Sequence, residues 1–73
     1  PITHIKYQLA KPGFVTINIY NMLGIEIAKL VNEEKPAGSY EIEFDATEFP
    51  SGIYFYRLQA GSFAETKKMV FLK

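Results

Sequence analysis

Seventy-three residues make one domain. The 8 Lys and Arg balance the 8 Asp and Glu, which argues against a general nucleic-acid binder, since that role needs a basic surface to release counterions. With no Cys, disulfides and thiolate metal sites are excluded, and no apolar run reaches the ~18 residues of a membrane helix.

Hydrophobic periodicity is two almost throughout. Ile5, Tyr7 and Leu9 alternate with His4, Lys6 and Gln8, which predicts a half-buried strand. Lys11-Pro12-Gly13 reads as a turn in which Pro presets φ and Gly13 supplies a positive one. Val15, Ile17 and Ile19 then alternate with Thr16, Asn18 and Tyr20, a β-branched second strand. Asn21-Met22-Leu23-Gly24 reads as a hairpin loop with Gly24 left-handed. In the third strand Ile27 and Leu30 have opposite parity, so a β-bulge is expected near Ala28-Lys29. A short helix over 22–31 is the rival, and close turn signals on both sides favour the strand.

The stretch 32–38 reads as a polar loop. Tyr40, Ile42 and Phe44 alternate with Glu41, Glu43 and Asp45 as a fourth strand. Asp45-Ala46-Thr47-Glu48 suggests a single helical turn capped by Asp45, and Pro50-Ser51-Gly52 closes the crossover. The fifth strand sets Tyr54, Tyr56 and Leu58 against Ile53, Phe55 and Arg57; apolar residues on both faces predict a central position. Gly61 turns the chain into a last strand holding Met69, Val70, Phe71 and Leu72, whose register stays open. Gly13, Gly24, Gly52 and Gly61 are thus the expected structural turns. Six strands at turn spacings of roughly 8–12 residues predict an all-β fold, an immunoglobulin-like antiparallel β-sandwich of about six to seven strands. No internal repeat stands out. The first residue is Pro1, not Met, so the expectation is a single domain, 1–73, excised from a larger protein.

Charge is unevenly placed. Glu33, Glu34, Glu41, Glu43, Asp45 and Glu48 crowd the middle, and Lys67, Lys68 and Lys73 crowd the end. Two solvated strand faces explain this, and a basic patch for a partner is the alternative. No catalytic constellation is present. His4, the one histidine, has outward parity and lacks companions for a zinc site. Asp45 and Glu48 are too ordinary a loop pair to argue for paired glycosidase carboxylates. Glu33, Glu34 and Asp45 lack the spacing of a Ca²⁺ loop. Of Tyr7, Tyr20, Tyr40, Tyr54, Tyr56 and Phe55, most alternate with polar residues as core positions do, although a sugar-stacking platform uses the same residue types. No cofactor is implied.

Six short motifs follow in order: Ile5-Lys6-Tyr7-Gln8-Leu9, Pro12-Gly13-Phe14-Val15-Thr16-Ile17, Ile19-Tyr20-Asn21-Met22-Leu23-Gly24, Pro36-Ala37-Gly38-Ser39-Tyr40, Pro50-Ser51-Gly52-Ile53-Tyr54-Phe55-Tyr56 and Lys67-Lys68-Met69-Val70. Together they resemble the type A C-terminal sorting domain of the type IX (Por) secretion system of Bacteroidetes and their relatives. The resemblance implies a non-catalytic secretion signal on an N-terminal cargo domain in the same chain, in transit through the periplasm and then at the cell surface or outside the cell. Its implied partners are the outer-membrane translocon and a sortase-like protease, with frequent cleavage and surface attachment; neither nucleic acid nor direct membrane insertion is implied. The family's marked signals fall on Pro36, Gly38 and Tyr40 and on Lys67, Lys68 and Lys73, the expected export-recognition residues. The alternative function is an immunoglobulin-like accessory module of a secreted protein that binds carbohydrate or a protein partner; the related domain of the flagellar hook-capping protein has similar strand motifs.

Overall fold

A computed structural model describes residues 2–72. Six strands make up nearly all of it: β1 (Ile2–Leu9), β2 (Gly13–Asn21), β3 (Glu26–Lys35), β4 (Gly38–Asp45), β5 (Gly52–Ala60) and β6 (Phe63–Phe71). They form an antiparallel pair β1-β4 and an antiparallel four-stranded sheet in the order β3-β2-β5-β6. That order and partition reproduce the B-E and C′-C-F-G strands of an immunoglobulin sandwich. The β5 strand lies between β2 and β6, the central position that its apolar residues on both faces predicted.

The sheets bury what alternation predicts. Val15, Ile17 and Ile19 of β2 are 0 % exposed, each a β-branched side chain whose burial is worth about 1.5–3 kcal/mol. Ile5 and Tyr7 meet them from β1, and Leu58 and Met69 from the larger sheet. One end of the core is aromatic. Phe71 stacks on Tyr54 at 4.7 Å between centroids and tilts against Phe44 at 5.8 Å, while Phe49 closes the group against Phe44 and Tyr54. These ring contacts tie β4 to β5 and β6 across the sandwich and settle the last strand's register: Met69 and Phe71 point inward, and Val70 and Leu72 are left exposed.

The irregular third strand contains two bulges. Ile17 pairs with Val31 but Asn18 with Lys29, and Ile19 pairs with Ala28 but Tyr20 with Glu26. Leu30 and Ile27 are therefore the extra residues, and both pack against the core although their parities differ. The rival helix over 22–31 does not form. In the preceding loop Asn21 takes over the turn: its side-chain oxygen accepts the Leu23 and Ile25 amides at 2.9 and 3.0 Å, and Gly24 sits at φ +79°.

Three local expectations are corrected. Residues 32–35 are not loop but the end of β3, paired with Thr16 through Gly13; only Pro36 and Ala37 separate β3 from β4, because Pro36 has no N–H with which to continue a ladder. Gly13 is the first residue of β2 opposite Lys35 and is not among the positive-φ glycines, so Pro12 and the residues before it make that bend. The segment 45–48 is a turn instead of a helical one: Phe49 N–H donates to the Ala46 carbonyl at 3.0 Å, and the Asp45 carboxylate accepts both the amide and the hydroxyl of Thr47.

Candidate functional site

The basic end of the chain lies on β6, an edge of the four-stranded sheet. β6 pairs with β5 on one side only; the alternate backbone groups on its other side face away from the sheet, as on any edge strand. Parity splits the two lysines that sequence reading treated as one feature. Lys67 stands opposite Tyr56 and its ammonium lies 3.7 Å from the Glu65 carboxylate. Lys68 stands opposite Phe55 on the outer face and has no ion-pair partner among the described residues. Lys73 lies outside the described residues.

Pro36, Gly38 and Tyr40 form a locked strand entry. The Tyr40 hydroxyl donates to the Pro36 carbonyl at 2.5 Å. Gly38 between them has φ +151°, a backbone region that side chains resist. The Tyr40 ring stacks on Tyr7 at 5.1 Å, and the Lys35 ammonium lies 5.3 Å from its centroid. Glu33, 2.8 Å from that ammonium, raises the Lys35 pKa, while burial raises that of the Tyr7 phenol.

The same device occurs a second time. The Tyr54 hydroxyl donates to the Pro50 carbonyl at 2.8 Å, with Gly52 between them at φ +156°. It matches the tyrosine corner of immunoglobulin folds, in which a Tyr near the start of strand F bonds back to the backbone a few residues upstream. Sequence reading missed this repeat, yet Pro-x-Gly-x-Tyr is printed at 36–40 and at 50–54. A motif used twice to start a strand is first a structural device.

The two sets of expected recognition residues do not form one patch. Pro36 follows β3, one edge of the four-stranded sheet, and Lys67 and Lys68 belong to β6, the opposite edge. The acids and aromatics weighed for other chemistry are dispersed. Glu33 on β3 is held by Lys35, Asp45 on β4 by Thr47, and exposed His4 lies 3.9 and 3.7 Å from Glu41 and Glu43. Of the rings weighed as a sugar platform, Tyr7 and Tyr54 are buried, and Tyr20, Tyr40, Phe55 and Tyr56 are part-buried.

Most of the exposed large apolar side chains gather elsewhere, with Phe14 and Phe63 left at the opposite end. Met22, Leu23 and Ile25 of the β2–β3 loop, Ile2 at the start of β1, and Val70 and Leu72 all occupy one end of the sandwich. Sequence reading left this end unmarked, because the residues belong to three separate elements.

Neither curated proteins nor solved structures yielded a match. A family model does match: that of the secretion system C-terminal sorting domain, over residues 2–72. With the sandwich, the free basic edge and this match in hand, the chain belongs to the type IX secretion C-terminal sorting domain family.

Proposed function

We propose that the chain is the C-terminal sorting domain of a larger exported protein and that the type IX machinery reads it at the free edge of β6. The family match over residues 2–72 carries the reading. The geometry of β6 supports the choice of edge: an unpaired strand offers backbone donors and acceptors to an incoming strand, and its lysines discourage indiscriminate edge pairing until then. In this reading Lys67, Lys68 and Lys73 form the basic determinant. Pro36, Gly38 and Tyr40 form a separate landmark at the far edge, where they fix the entry to β4. The domain performs no chemistry. The cargo precedes it in the same chain, crosses the periplasm, and meets the translocon and then a sortase-like protease, after which it is attached at the surface or released.

The test is an export assay. The 73 residues, with a signal peptide and linker, are fused to a fluorescent protein in a host with the type IX system and in a translocon-deficient strain. Surface or medium fluorescence is expected only in the competent host, and deletion of residues 67–73 is expected to trap the fusion in the periplasm. Because the deletion also takes Met69 and Phe71 out of the core, Lys67→Gln/Lys68→Gln is assayed beside it in a folded domain. Normal export of a stable truncated fusion overturns the assignment to β6.

A further inference from the structure

The outer face of the β5-β6 hairpin carries an unbalanced pair of cations. Arg57 pairs with Thr66 and Phe55 pairs with Lys68, so Arg57 and Lys68 are diagonal cross-strand neighbours, about 7–8 Å apart at their Cα atoms. Their neighbours on that face of the hairpin are Ile53, Phe55, Gln59, Ala64, Thr66 and Val70, and none is acidic. Of the other described cations, Lys6, Lys29, Lys35 and Lys67 each lie within 4.0 Å of a carboxylate, whereas Arg57 and Lys68, like the isolated Lys11 between β1 and β2, have no ion-pair partner among the described residues. Beside them a shallow dish runs over Tyr20, Met22, Phe55, Arg57 and Thr66, and Val70, two residues past Lys68 on the same face of β6, is 56 % exposed.

Two like charges held together without a counter-charge disfavour the fold slightly and favour any anion that bridges them. The free edge beside Lys68 adds the backbone groups that an extended chain needs. We infer that the partner of β6 is an acidic strand of another protein, which adds to the free edge with a carboxylate against Lys68 and Arg57 and an apolar side chain against Val70. This rests on the reading that β6 is the recognised edge, and it supplies that partner's chemistry. Arg57 becomes a recognition residue that the basic C-terminal run did not contain. Lys67, already balanced by Glu65 at 3.7 Å, contributes less than Lys68.

The test uses the same cargo fusion with four variants. Arg57→Glu/Lys68→Glu reverses the patch, Arg57→Lys/Lys68→Arg preserves its charge, and Lys11→Glu/Lys29→Glu makes the same change in net charge elsewhere. The fourth, Arg57→Gln/Lys68→Gln, replaces the reversal if that lowers the thermal midpoint of the chain. The reversal is expected to lower surface-delivered cargo on the order of tenfold, with the other two charged variants exported as wild type. Equal loss in the Lys11/Lys29 control or in the charge-preserving exchange overturns the inference. So does unimpaired export of the reversal; if the translocon-deficient strain still retains the wild-type fusion, the sorting assignment survives that result. Light scattering on the purified chain supplies the last arm: a wild-type dimer that the reversal dissociates overturns the inference in favour of a second copy, whose acidic β4 would then be the occupant. A monomer in both supports it.

Discussion

Tyr54 and Tyr40 make the same hydrogen bond in different surroundings. Tyr54 is 6 % exposed and its bond to Pro50 is part-buried, whereas the bond from Tyr40 to Pro36 is exposed. Removing the Tyr54 hydroxyl leaves the Pro50 carbonyl short of a partner where water replaces it poorly, so Tyr54→Phe is expected to destabilise by about 1 kcal/mol. Tyr40→Phe is expected to destabilise by less, because water replaces the lost donor there. Urea midpoints of the two variants decide it; equal losses would show that burial does not weight these bonds. Asp45 supplies a pH signature. The hydroxyl and amide of Thr47 both bond its carboxylate and hold its pKa below the usual aspartate range. Unfolded Asp45 takes up a proton at the ordinary value and the folded residue only at lower pH, so in that window the unfolded state binds more protons. The stabilisation is present above the ordinary aspartate pKa and is lost as pH falls through the lowered folded value. The thermal midpoints of wild type and Asp45→Ala should therefore differ at neutral pH and converge in acid. A gap that stays constant down to acid pH would assign the residue's effect to something other than its charge.

Strand β6 has to serve two surfaces. Phe71 is 2 % exposed and stacks on Tyr54, while Val70 beside it is 56 % exposed. Phe71→Ala is expected to cost about 3–5 kcal/mol, a large share of the ~4–11 kcal/mol available to a chain of this length. Val70→Ala should stay within about 0.5 kcal/mol, as surface changes do. Chemical denaturation of both tests the register directly, and a reversed order would mean that β6 is shifted by one residue. This strand also marks where sequence reading reaches its limit. In β1, β2 and β4 one face is apolar and the other polar, so parity alone identified Ile5, Val15, Ile17, Ile19 and Phe44 as core. In β6 both parities are apolar at 69–72, and only pairing with β5 chooses between them. In β3 the parity broke at Leu30; one bulge was legible from that break, but the second, at Ile27, follows from pairing with β2 and leaves no separate mark in the sequence. Residues 32–35 read as loop because they are polar, yet an edge strand tolerates polar residues, and these pair with Thr16 through Gly13 of β2. The lysines of the candidate site were legible as a basic run. That Arg57 completes the outer patch, and that Pro36 lies at the opposite edge, depends on sheet order, which alternation does not encode.

The whole molecule rests on contact between unequal sheets. A two-stranded sheet is marginal by itself in water, and β1-β4 has only that pairing. Its stability comes from Ile5, Tyr7 and Phe44 packing onto the larger sheet, through the ring contacts of Phe44 with Phe49 and Phe71. If those contacts are what keeps β1 and β4 paired, the pair cannot open as a smaller unit while the four-stranded sheet survives, and the domain should unfold in one step. Native-state hydrogen exchange tests this. The amides of β1 and β4 that bond each other are expected to exchange with the same free energy as those of central β2 and β5, near the global ~4–11 kcal/mol. Amides on the outer edges of β1, β4 and β6 should exchange much faster, since exchange there needs no unfolding. A β1-β4 ladder that opened several kcal/mol below the central strands would overturn the single-unit account. It would also change how the β6 deletion is interpreted: a domain that sheds its smaller sheet easily would still present β5 and β2 after losing β6. Uniform protection, by contrast, makes the intact sandwich the smallest object that offers the basic edge to a partner.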